Sequence, residues 1–185
     1  MAWELDFIRW ASGWWSSSLL DQILPWLTYL GSHFAVIFFI LLSWILTKQR
    51  KIFGHLVLLY AIQSAVIYGL KFLIQRQRPF LVLEMASKLS GGPEEILDSS
   101  FPSAHATLSF MMATLLAHWF PRYRILFFVG ASFVGWTRIY LGVHYPTDVI
   151  AGALLGYGVT KVFLLYFPMS LRPELPGAGK KQGTD

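Results

Sequence analysis

The chain has 185 residues, 55% hydrophobic, 17% aromatic and only 14% charged, with mean hydropathy +0.52 and formal charge +5. Soluble domains carry roughly 25% charged residues, so an ordinary soluble fold is excluded and a single membrane domain is expected. Lack of cysteine excludes disulfides and thiolate metal sites, and cations gathered at the ends of apolar runs point to membrane topology or anion binding rather than nucleic acid.

The first 25 residues interleave Trp3, Trp10, Trp14 and Trp15 with Glu4, Asp6 and Arg9, which predicts an amphipathic helix lying in the membrane interface. Their acidic start speaks against a cleaved signal peptide. Five apolar stretches follow, 26–47, 52–75, 102–120, 125–143 and 149–167, each near the ~20 residues that cross a bilayer. The expected fold is all-α: a polytopic membrane helix bundle of about five transmembrane helices plus the N-terminal interfacial helix, one domain over residues 1–185. Residues 76–101 form the long connector, and 168–185 a cytoplasmic tail. With Lys48, Arg50 and Lys51 inside, alternation places Arg122, Arg124, Arg172, Lys180 and Lys181 inside as well, leaving Arg9, Arg76 and Lys88 outside. The three groups of ionisable residues described next then share the external face.

Ionisable groups inside apolar segments are costly and mark function. In Lys71-Phe-Leu-Ile-Gln-Arg-Gln-Arg78-Pro79, Lys71 and Arg78 are seven residues apart, which on a continuous helix is one face two turns apart. Arg76 and Arg78 alone read equally well as interfacial anchors, but Lys71 lies deeper and needs a partner. The 76–101 loop, with Glu84, Lys88, Gly91-Gly92-Pro93, Glu94 and Glu95, is a candidate lid or headgroup selector by position.

Asp98-Ser-Ser-Phe-Pro102-Ser-Ala-His105 reads as a helix start with capping serines and a tolerated proline, an end whose free N–H groups attract phosphate. Small Ser103 and Ala104 would let an anion approach. No Gly-x-Ser-x-Gly elbow surrounds Ser103, so a phosphate-donor role is preferred to that of nucleophile. Thr137-Arg138-Ile-Tyr-Leu-Gly-Val-His144-Tyr-Pro-Thr-Asp148 sets His144 and Asp148 four apart, with Pro146 restarting a helix between them. A carboxylate bonded to one ring nitrogen would leave the other free to attack, and Arg138 offers a forked clamp for phosphate oxygens. His33, His55 and His118 lack such neighbours and are read as structural.

Together the three motifs resemble the type 2 phosphatidic acid phosphatases, whose wider superfamily includes bacterial acid phosphatases and vanadium haloperoxidases. The family pattern is Lys, six residues, Arg-Pro; then Pro-Ser-Gly-His; then Ser-Arg, five residues, His, three residues, Asp. Its spacing is met over residues 71–148, with Ala104 where glycine is usual and Thr137 where serine is usual.

The resemblance implies a small bacterial membrane-integral lipid phosphatase. In it His144 attacks phosphorus to form a phosphohistidine, Asp148 orients that ring, and His105 protonates the leaving oxygen and then activates water. Lys71, Arg78, Arg138 and the backbone around Ser103 and Ala104 would hold the non-bridging oxygens, with neither metal nor cofactor in the scheme. The implied partners are a lipid phosphate and the bilayer, without nucleic acid. Phosphatidylglycerophosphate, undecaprenyl pyrophosphate, phosphatidic acid and lipid A 1-phosphate stay open as substrates, and the oligomeric state is open too. The implied location is the bacterial inner membrane, with the site facing the periplasm. The rival classes are a phosphatase of soluble phosphomonoesters and a non-catalytic phospholipid-binding or transport protein; the presence of both histidines favours an enzyme.

Overall fold

A computed structural model describes residues 2–13, 17–83 and 99–170, and among these there is no β-strand. The helices are α1 (Ala2–Gly13), α2 (Ser18–Leu27), α3 (His33–Thr47), α4 (Arg50–Ile74), the short α5 (Pro79–Val82), α6 (Ala104–Trp119), α7 (Arg124–Tyr140) and α8 (Pro146–Tyr166), with 3-10 turns at Thr28–Gly31 and Pro121–Tyr123.

Helix α6 is central, packed on α7 and α8 and touching α3 and α4. Small residues let the backbones meet. A Cβ at Gly152 would lie 2.6 Å from the Ser103 carbonyl oxygen, and one at Gly156 would lie 2.1 Å from that of Thr107. At Gly31 it would fall 2.8 Å from the His105 carbonyl, so the first 3-10 turn also sits directly on the start of α6. The apolar core joins Val36 and Ile40 of α3, Leu56, Leu59 and Ile67 of α4, Leu108, Met111 and Leu115 of α6, and Phe163 of α8. Outside, Phe34, Phe72, Leu73, Leu154 and Leu165 are exposed, the apolar surface that a lipid-facing bundle presents.

All five apolar stretches fold as helix, with departures from the expected bounds. The stretch 26–47 is a bent pair: α2 contains Pro25, tightens into the 3-10 turn, and meets α3 at 51°. Ser32 caps α3 by accepting from the Ala35 N–H at 3.3 Å. The helix from Arg50, followed through to Val82, and α8 are each long and apolar enough to cross a membrane, and the bent pair would be a third. Helices α6 and α7 have 16 and 17 residues, ~24–26 Å of helix against a hydrocarbon core of ~30 Å.

The predicted interfacial segment 1–25 divides between α1 and α2, which is capped by Ser17. Helix α1 buries Ile8 and Ala11 against Ile139 and Tyr145 and exposes Trp3, Phe7 and Trp10. Trp14, Trp15, the 84–98 part of the connector and the tail from 171 lie outside the described residues.

Candidate active site

Helices α6, α7 and α8 alternate in direction, which brings the start of α6, the end of α7 and the start of α8 to one end of the bundle. His105, Arg138 and Asp148 meet there by topology.

Lys71 and Arg78 reach this end by a route that corrects the shared-helix expectation. Helix α4 stops at Ile74 because Gln75 turns left-handed (φ 47°, ψ 41°), its N–H closing on the Lys71 carbonyl at 3.1 Å. Arg78 is held extended (φ −77°, ψ 148°), as the following proline demands. Between them the chain runs beside residues 99–100. The Ser100 N–H donates to the Arg76 carbonyl at 2.8 Å, and the Arg76 N–H donates to Ser99 Oγ at 2.9 Å. Arg78 thereby turns inward to donate to the Val143 carbonyl at 3.0 Å, while Lys71 Nζ donates to the Ser99 carbonyl. Both side chains are buried.

His144 is buried in the connection between α7 and α8, where Gly142 takes φ 71°. The Val143 and His144 N–H groups both turn back to the Arg138 carbonyl, at 3.2 and 3.3 Å. The His144 ring is oriented by the backbone: Nδ1 lies 2.7 Å from the Ser100 carbonyl oxygen. A carbonyl only accepts, so Nδ1 carries the hydrogen and Nε2 keeps its lone pair. Nε2 stands 3.4 Å from a terminal nitrogen of Arg78. Burial holds the His144 pKa well below the usual histidine value, reinforced by Arg78, Arg138 and Lys71 and partly opposed by the Ser100 hydrogen bond. The ring is therefore neutral at neutral pH.

Asp148 is fully buried. Its Oδ2 accepts the Tyr145 N–H at 2.9 Å at the start of α8 and stands 3.6 Å from His144 Nδ1. That separation is electrostatic support; the hydrogen bond to Nδ1 belongs to Ser100. The strong partner of Asp148 is Arg76, at 2.6 Å from Oδ1. Arg76 also pairs with buried Glu4 of α1 at 2.8 Å, donates to Thr147 Oγ1 at 2.7 Å and stacks 3.8 Å above the Tyr145 ring. The Thr147 hydroxyl in turn donates to Glu4 at 2.6 Å. Arg76 is thus no interfacial anchor, and α1 is ion-paired to the residues behind the site.

Ser103 is buried and caps α6, its Oγ accepting the Ala106 N–H at 3.4 Å. Its own N–H is taken by the Asp148 carbonyl at 3.1 Å, which leaves the amides of Ala104 and His105 as the donors that the helix end can offer an anion. His105, half-buried, lies within Coulombic range of Arg138, His144, His33 and Arg78. Arg138 is buried and donates to Thr28 Oγ1 at 3.0 Å, from the 3-10 turn that Gly31 seats against α6. His33, set aside as structural, is held between the hydroxyls of Tyr60 and Tyr68 at 2.8 and 3.0 Å.

Sequence reasoning missed Ser100, Glu4, Thr28 and Thr147, which act through backbone or neutral groups or come from distant segments. Only Glu4 carried a signal: a carboxylate among interfacial tryptophans.

A family profile described as PAP2 superfamily matches residues 52–172. The chain belongs to the PAP2 superfamily. Among its PAP2 relatives, the bacitracin transport permease protein BcrC of Bacillus licheniformis is 36% identical over 110 residues, covering 60% of this chain and 53% of that protein. An undecaprenyl-diphosphatase of Sulfolobus acidocaldarius is 34% identical over 138 residues, 74% of this chain and 66% of its own length. The match therefore spans about half to two thirds of these two relatives. The crystal structure of Aquifex aeolicus LpxE superposes with a TM-score of 0.77 at 28% identity, covering 90% of this chain and 97% of that one.

Proposed function

We propose that this PAP2 protein is a membrane-integral phosphatase that removes phosphate from a lipid phosphate or pyrophosphate through a phosphohistidine on His144. The observation that carries the reading is the committed ring: Nδ1–H is bound to the Ser100 carbonyl, and the basic Nε2 lies against Arg78 in a pocket shared with Lys71 and Arg138. In the reaction Nε2 bonds to phosphorus as the bond to the leaving oxygen breaks, and His105, protonated when the anionic substrate sits among the cations, gives that oxygen its proton. Neutral His105 then takes a proton from water, whose oxygen displaces Nε2 and frees phosphate. Lys71, Arg78, Arg138 and the amides of Ala104 and His105 carry the charge of the phosphoryl oxygens. Asp148 supports the ring electrostatically. A lipid substrate is favoured by the apolar exterior beside the site and by the name of the diphosphatase relative.

On this reading residues 1–185 form one domain with five crossings in a bacterial inner membrane. The site faces the periplasm, the C-terminus is cytoplasmic, α1 lies at the external boundary, and residues 76–101 select the headgroup.

The test gives the purified protein phosphatidylglycerophosphate, undecaprenyl pyrophosphate, phosphatidic acid and lipid A 1-phosphate beside p-nitrophenyl phosphate, and counts released phosphate. At least one lipid is turned over faster than the soluble ester, and a labelled phosphoenzyme is trapped. His144→Ala, still helical by circular dichroism, loses the phosphoenzyme and falls by at least ~10³-fold in rate. Phosphate release by that variant at the wild-type rate refutes the assignment.

A further inference from the structure

Running away from the catalytic end, α6 from His105 to His118, α7 from Arg138 back to Arg124, and α8 from Asp148 to Lys161 each cover ~20 Å. The same displacement along three packed helices gathers His118, Arg124 and Lys161 at the opposite boundary of the bundle. There, with Ile125, Phe128 and Tyr157, they line a groove of about 700 Å³, within the ~300–1,000 Å³ of ligand sites.

The lining has two chemistries. Arg124 and Lys161 are exposed and make no ion pair or side-chain hydrogen bond among the described residues, and no acidic side chain is among the described lining residues. His118 is pinned at the groove by the Met169 carbonyl, 3.0 Å from Nε2. Beside these cations the wall is apolar and open to the side: Ile125 is 72% exposed, and Phe128 packs edge-on against Tyr157 at 6.0 Å. Two cations at a boundary over an apolar slot between helices complement a phosphate head with an acyl tail. A free anion would leave the slot unfilled, and a neutral lipid would leave the cations unanswered.

We propose that this groove binds an anionic phospholipid of the leaflet opposite the catalytic pocket, its phosphate held by Arg124 and Lys161 and an acyl chain laid along Ile125 and Phe128. The bound lipid is a ligand and is not cleaved. The assignment needs the membrane-embedded bundle, not the phosphatase reading.

The experiment places the full chain in phosphatidylcholine nanodiscs, titrates phosphatidylglycerol, and follows the thermal midpoint together with lipid occupancy by native mass spectrometry. Phosphatidylglycerol raises the midpoint of the wild type and stays bound to it. In Arg124→Gln/Lys161→Gln its apparent affinity falls about thirtyfold, roughly fivefold for each cation lost, whereas Arg124→Lys/Lys161→Arg retains it. Phosphate release in phosphatidylcholine discs stays at the wild-type level in both, so loss of catalysis and loss of this site are read separately. The proposal is overturned by unchanged phosphatidylglycerol affinity in the glutamine pair, by equal retention of phosphatidylcholine, by inorganic phosphate giving the same shift, or by a second copy of the chain occupying the groove in cross-linking.

Discussion

Gly156→Ala asks whether contact between α6 and α8 sets the geometry of the site. A Cβ at this position would lie 2.1 Å from the Thr107 carbonyl oxygen and 3.0 Å from the Met111 nitrogen. Both are α6 backbone atoms, which cannot swing aside as a side chain would. Ordinary contact begins at 3.4 Å, so the two helices must part or slide by about 1.3 Å at this level. That movement acts between the helix carrying His105 and the helix that begins two residues after His144. A misplacement near 1 Å at reacting groups costs about 10²-fold in rate, and overpacking costs about 1–3 kcal/mol of stability. Gly158→Ala is the internal control, since its Cβ would meet nothing within 4 Å and alanine gains up to ~1 kcal/mol of helix propensity. The assay is phosphate release from the best lipid of the panel, alongside thermal unfolding. Gly156→Ala is expected to lower kcat/KM about 10²-fold and to lower the midpoint, with Gly158→Ala unchanged or slightly stabilised. Wild-type turnover by Gly156→Ala, or equal damage from Gly158→Ala, would show that this contact does not position the chemistry.

Two further predictions concern charge. Glu4→Gln removes one of the two carboxylates on Arg76 and with it a buried charge-assisted hydrogen bond, worth about 1.5–3 kcal/mol, or a midpoint fall of about 3–12 °C for a chain of this size. Turnover drops by no more than about tenfold, because Asp148 keeps both Arg76 and the Tyr145 N–H; an unchanged midpoint would mean that α1 is not anchored through this pair. The lowered His144 pKa leaves the ring neutral, and on the proposed mechanism able to attack, to pH values below the ordinary 6.5, where the acid limb of kcat/KM is expected. Arg78→Gln removes the nearest cation, so that limb should move up toward 6.5. Comparing variant with wild type on one lipid cancels the substrate's own phosphate titration, and a limb that stays in place would exclude Arg78 as a cause of the lowered pKa.

Residue type and spacing already singled out most of the ionisable residues that share one end of the bundle. Costly cations and imidazoles within apolar runs, together with Pro146 restarting a helix between His144 and Asp148, identified the ends that meet, and each apolar stretch that hydropathy picked out folds largely as helix. These signals are local: burial cost and helical period act over a few residues, so they can be read along one segment at a time. The left-handed turn at Gln75, which separates Lys71 from Arg78, depends on pairing with residues 99–100 and left no mark in the Lys71–Arg78 stretch itself. Spacing points to the nearby Asp148 as the group that orients His144, whereas the bond comes from the Ser100 carbonyl 44 residues away, a backbone group that every residue possesses. Likewise Asp148 is committed to Arg76 and, through it, to Glu4 of the first helix. The sequence by itself determined which ionisable groups stand out against the apolar runs and which of those runs are helical. Only the packed bundle decided which partner each charge takes, because close helix contact and buried ion pairing choose among distant groups that one-dimensional spacing leaves equivalent.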